Sequence, residues 1–218
     1  MSRHPLVTAS AVIVVLTAFL TWPQCLYLRS KLASHDDPYF STWRIAWIAH
    51  ALRTDPRHLY DANMFYPEPR TLAYSDATLL EGVVAAPFIW AGLPPLLVYN
   101  VLLLGGIAAS GIGMFVLVRH LTGNPSAALV SSAVFTLVPY RIEHIMHLEL
   151  QWTMWMPLAL WAVHRATAER SWRFGALAGL FVWLRRRASG DEAAQSRGQS
   201  LDEAQRRRVH EEADALDA

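Results

Sequence analysis

Between Gly82 and Val118 the chain carries no charged side chain over 37 residues. A helix needs about 20 apolar residues to cross a hydrocarbon core of about 30 Å, so this stretch exceeds one span. Its prolines, Pro87 and Pro94-Pro95, mark where regular helix must be interrupted. Four more uncharged runs accompany it: Leu6–Leu28, Leu121–Tyr140, Leu150–Val163 and Phe174–Leu184. The charges are pushed to one end, with residues 185–218 holding 15 of the 37. Only 17% of the chain is charged and 53% is hydrophobic, against about 25% charge in a soluble domain. This is the composition of a membrane protein, not of a soluble enzyme. The 19 basic and 18 acidic residues nearly cancel, which leaves no global basic field for a nucleic-acid partner. A single cysteine, Cys25, excludes an intrachain disulfide and any cysteine-cluster metal site.

The arginines orient the runs. Leu6–Leu28 follows Met-Ser-Arg-His-Pro, as the apolar core of a signal peptide would. It is too long for such a core, and no small-x-small cleavage site follows it. Trp22-Pro-Gln-Cys25 lacks the small residues of a lipid-attachment site. An uncleaved first span is expected, with the N-terminus in the cytoplasm. If the second span covers about 97–118, with residues 79–93 as a re-entrant or interfacial helix, Arg119, Arg165, Arg170 and Arg173 all fall inside. Two full spans would place all four outside, so the positive-inside rule selects the first arrangement. Residues 29–81 then form an outer loop with six basic and seven acidic groups. Residues 140–149 join the third and fourth spans on the same side. The expected fold is all-α, with about four spans, a partial fifth and a helical extracytoplasmic first loop, over residues 1–184. In 185–218, Arg185-Arg-Arg187 reads as a stop-transfer cluster and Ser200-Leu-Asp-Glu203 as a capping box opening a charged, weakly packed helix.

Two outer segments carry chemistry. Ser34-His-Asp-Asp-Pro-Tyr-Phe40 opens the first loop. Asp36 and Asp37 suit a divalent cation, or one suits a general base tuned by the other. Asp-Asp-Pro is equally a helix start, with an aspartate cap and Pro38 in the first turn. The following helix places Trp43, Trp47 and His50 on one side, an interfacial anchor or a sugar-stacking surface. Asp76 reads as a cap before Leu79 or a polar pocket wall. In Tyr140-Arg-Ile-Glu-His-Ile-Met-His-Leu-Glu149, His144 and His147 are three apart and Glu143 and His147 four apart, a shared helix face. Arg141 with His144 and His147 suits a phosphate or a metal, or forms a polar interfacial rim.

Asp37-Pro with Trp43 and Trp47, Phe65-Tyr-Pro67, Asn100, Leu121-Thr-Gly123, Pro139-Tyr-Arg141, His144 with His147, and Trp155-Met-Pro157 together resemble the GT-C superfamily. These are integral-membrane glycosyltransferases that use polyprenyl-phosphate sugars, and the likeness is to large bacterial members over residues 6–184. The resemblance implies transfer of a sugar to an acceptor hydroxyl on the outer face of the cell (inner) membrane. It maps the catalytic base to Asp37 or its neighbour Asp36, and gives donor-phosphate contacts to Arg141, His144 and His147. Such enzymes have eight or more spans, so a truncated or frame-shifted gene product is expected here. The reading from another class is a non-enzymatic multi-pass membrane subunit or scaffold. A small transporter ranks below both, because the long runs contain no charge.

Overall fold

The computed structural model describes residues 5–34 and 37–188, and among these the regular structure is helical, with no strand. In chain order the helices are α1 (Pro5–Leu20), α2 (Asp37–Thr54), α3 (Leu79–Trp90), α4 (Pro95–Thr122), α5 (Pro125–Leu137), α6 (Pro139–Glu143), α7 (Leu148–Gln151), α8 (Trp155–Glu169) and α9 (Trp172–Ala188). The long uncharged run divides at Pro94-Pro95, as expected, into α3 and α4, whereas Pro87 does not interrupt the helix and lies inside α3. Pro95 sits in the first turn of α4, where its missing N–H costs nothing. At the other end Gly123 adopts the left-handed conformation (φ 68°) and its N–H bonds the Arg119 carbonyl. Asn124 then caps α5, its Oδ1 accepting from the backbone N–H of Ser126 at 2.9 Å and of Ala127 at 3.3 Å.

α4 is the axis of the molecule and packs against α1, α2, α3, α5, α7 and α8; α9 packs against α8 and α3. Its 28 residues make it the one described helix long and apolar enough to cross a membrane. The other apolar runs give shorter helices than their lengths suggest. The 23-residue first run yields a 16-residue α1, about 24 Å long, because Pro23 can neither donate a backbone bond nor fit a helix interior. Gln24–Leu26 forms a 3₁₀ turn instead. The fourth run does not start a helix at Leu150: α7 ends at Gln151 and α8 begins at Trp155. The arginines at 185–187 do not end the fifth helix either. They lie in the last turn of α9, where cations complement the helix dipole. The capping-box helix expected from Ser200 lies outside the described residues.

Small residues let the helices approach α4. Ser132 donates to the Gly111 carbonyl at 2.8 Å, and Ser110 to the Gln151 carbonyl at 3.1 Å. Gly106 faces the Trp152 indole, and a Cβ there would lie 2.7 Å from Nε1. That indole donates to the Leu102 carbonyl at 3.1 Å, so a methyl group must displace a bonded ring. Gly106→Ala is expected to cost about 1–3 kcal/mol in urea unfolding in detergent. Gly105→Ala, where a Cβ meets nothing within 4 Å, is expected to be neutral or stabilising. Equal effects at the two positions would contradict the packing described.

Candidate functional site

α2 has two distinct faces. On one, Phe40, Trp43, Trp47 and His50 form a continuous ring stack, with centroid separations of 5.5, 6.4 and 5.7 Å. On the other, Ser41, Arg44, Ile45 and Ile48 are buried at the 3–4 residue spacing of a helix face. Arg44 is therefore carried into the interior. Its guanidinium donates to Ser41 Oγ at 2.6 Å and to the Asp76 carbonyl, and lies 3.9 Å from Glu149 Oε2. Both charged side chains are nearly inaccessible, 4% and 3% exposed. Burial pushes Arg44 down from its ordinary value, and Glu149, Asp76 and Glu81 push it back up. Burial likewise raises Glu149, with Arg44 opposing.

Two more groups complete this buried cluster. Glu81, in the first turn of α3, is fully buried and neither carboxylate oxygen has a hydrogen-bond partner. Burial is the main cause that pushes its carboxyl up to about 8, while Arg44 and Arg185 oppose the shift. Tyr99, at the start of α4, donates its hydroxyl to the Met146 carbonyl at 3.3 Å. His147 Nδ1 lies 3.7 Å from Glu149 Oε1, an ion pair when the ring is protonated, and the ring is 36% exposed. α2 and the 144–149 turn thus meet at the Arg44–Glu149 pair, and the same turn reaches Tyr99 through the Met146 carbonyl.

Glu81 makes stability depend on pH. The folded chain keeps a proton that the unfolded chain releases near its ordinary value of 4.5, so between about 4.5 and about 8 the native state binds more protons. Stability is therefore expected to fall as pH rises through this window, at a limiting slope of about 1.4 kcal/mol per pH unit. Urea unfolding in detergent at several pH values measures it. Glu81→Gln should flatten most of the slope, leaving the part due to Glu149; an unchanged slope in the variant would contradict the assignment.

The residues singled out in the sequence are distributed as follows. Asp37 is the first residue of α2, with Pro38 after it; Asp36 lies outside the described residues. Asp76 does not cap α3. The cap position is Thr78, in the left-handed region at φ 46° with no side-chain cap bond, and Asp76 offers its carbonyl to Arg44. Glu143, His144 and His147 do not share a helix face, because α6 stops at Glu143. The Gln151 amide takes the carbonyls of His144 (2.8 Å) and Arg141 (3.3 Å), and the chain turns. The two imidazoles still come within 6.0 Å of each other, with His144 stacked on Tyr140 at 4.1 Å; Glu143 is exposed. Arg141 points inward. Its Nε donates to the Phe135 carbonyl at 3.1 Å, Nη1 to Gln151 and Nη2 to Thr153 Oγ1 at 3.0 Å. Burial alone pushes it down to about 10. Among the described residues no group of three or more His, Cys, Asp and Glu could hold a metal ion.

Asn100 ties the end of the first segment to α4, accepting from Gln24 Nε2 at 2.7 Å and donating to the Leu28 and Lys31 carbonyls at 2.8 Å. Beside the Tyr99 turn lies an apolar cavity of about 380 Å³ lined by Val84, Phe88, Val98, Val101, Leu102 and Trp152. Arg44, Glu81 and Tyr99 were not among the residues the sequence singled out. The one signal for Arg44 was its place among the apolar positions of α2.

No family model matches this chain, and neither a curated protein nor a solved structure matches it.

Proposed function

We propose that this chain supplies the N-terminal helices of a GT-C-like membrane glycosyltransferase, embedded in the cell (inner) membrane with its N-terminus in the cytoplasm. The observation that carries the reading is the polarity of α4. At its start, Tyr99 bonds the Met146 carbonyl of the turn that carries His147 and Glu149, and Arg44 of α2 pairs with that Glu149. At its end are Arg119 and His120, with His164 beside them on α8 and Arg165 next in sequence. Arg119, Arg165, Arg170 and Arg173 at one end match the inside signature, while the other end holds ionisable groups of both signs, Arg44, Arg141, Glu81 and Glu149, the functional default for a membrane protein. α1, α5, α8 and α9 are read as further spans, and α3 as a re-entrant or interfacial helix.

In this reading Asp37 takes the proton of an acceptor hydroxyl while its oxygen bonds the sugar's anomeric carbon. The bond from that carbon to the donor phosphate breaks, and polyprenyl phosphate leaves with the electron pair. His147, held beside Glu149 at 3.7 Å, is the side chain offered to that phosphate. The apolar cavity beside Tyr99 suits an isoprenoid segment, and the Trp43–Trp47 stack lies along the membrane surface. The test is release of polyprenyl phosphate from a polyprenyl-phosphate sugar by the chain joined to a homologous C-terminal half. Release is expected; none with any hydroxyl acceptor would overturn the reading.

Topology is tested separately. Cysteines introduced at Asp61 and at His147 are expected to label with an impermeant reagent from outside intact cells, and one at His120 is not. Labelling at 120 from outside would overturn the orientation.

A further inference from the structure

The end of α4 opposite the buried charge cluster carries a second constellation. His120, in the last turn of α4, and His164, on α8, face each other with Nε2 of the first 3.0 Å from Nδ1 of the second. The rings are nearly perpendicular, with centroids 5.0 Å apart, and both residues are exposed. Trp161 packs edge-on to His120 at 6.5 Å, one helical turn before His164. About 30 Å of helix separates this pair from Tyr99, so it plays no part in the proposed transfer.

We propose that His120 and His164 form a two-imidazole site for a borderline divalent transition cation of the Zn²⁺, Ni²⁺ or Cu²⁺ class, clasping α4 to α8. The spacing carries this. With metal–nitrogen bonds of about 2.0–2.1 Å, two imidazoles at right-angled to tetrahedral positions stand about 2.9–3.4 Å apart. The observed separation falls in that range before any movement of the backbone. Imidazole is a ligand these cations favour, whereas Mg²⁺ and Ca²⁺ prefer oxygen. The nearest cation on α8 does not oppose binding: Arg165 is neutralised by Glu169, Nη2 to Oε1 2.6 Å, and lies over the Phe174 ring at 4.1 Å. Without metal, one facing nitrogen carries the proton that it donates to the other. On binding, that ring moves its proton to its solvent-facing nitrogen. Both facing nitrogens then offer lone pairs and no proton is lost from the pair. Two protein ligands make an open site, with water in the remaining positions.

The test is calorimetric titration of the detergent-solubilised, untagged full chain with ZnCl₂. One saturable site is expected. His120→Ala and His164→Ala should each weaken it by at least about tenfold, while the double variant His144→Ala/His147→Ala should keep it. Both residues are exposed, so the helical circular-dichroism signal of the single variants should match the native chain. No saturable uptake by the native chain, or loss confined to the 144/147 variant, would overturn the proposal.

Discussion

Replacing Arg44 by methionine is expected to destabilise the folded chain by about 3–5 kcal/mol, a large effect for a single side chain. The substitution keeps the apolar stem that packs within α2's buried face and removes only the charge. It leaves Glu149, 3% exposed, without its buried cation and with only the part-exposed His147 ring beside it, and one Glu149 oxygen already has no hydrogen-bond partner. It also strips Ser41 Oγ and the Asp76 carbonyl of their donor. Most of the loss should come from the stranded carboxylate rather than from the absent pair. The double variant Arg44→Met/Glu149→Gln is therefore expected to recover a substantial part of it, which a double-mutant cycle in urea would read as coupling. A single variant that loses less than about 1 kcal/mol would show that water reaches the cluster.

Much of the framework is legible in the residue order because its signals are local. The break at Pro94-Pro95 and the aromatic face of α2 each depend on neighbours within one or two turns. Helix length was not legible in the same way. An uncharged run shows where a helix is tolerated, not where its hydrogen bonds stop. At Pro23 backbone chemistry stops a helix inside apolar sequence, and at His144 the carbonyls that end α6 are taken by the Gln151 amide from the next turn. In α9 the reverse holds, since three arginines that look like an end are absorbed by the final turn. The site divides likewise. Asp37 was visible through its Asp-Pro motif. The partnership of Arg44, Glu81 and Glu149 joins residues far apart in the chain, and no local pattern brings them together. Arg141 and His147 looked alike as polar residues at the rim of a span. Only the turn after Glu143, set by Gln151, sends one inward and leaves the other at the surface.

The most direct test of the proposed chemistry is the carboxylate at the start of α2. Asp37 lies near the beginning of the outer loop, as the first residue of α2 and directly before Pro38. A general base in that position contributes on the order of 10²–10⁴-fold in rate. Asparagine keeps the size and the helix-start propensity of aspartate but accepts no proton at neutral pH. The measurement is sugar transfer from a polyprenyl-phosphate sugar by the chain joined to a homologous C-terminal half, compared with its Asp37→Asn variant at matched folding. A rate lower by about 10²–10⁴-fold, with donor binding retained, is the predicted result. Transfer at the native rate with asparagine at 37 would contradict the assignment and leave that residue the start of a helix and nothing more.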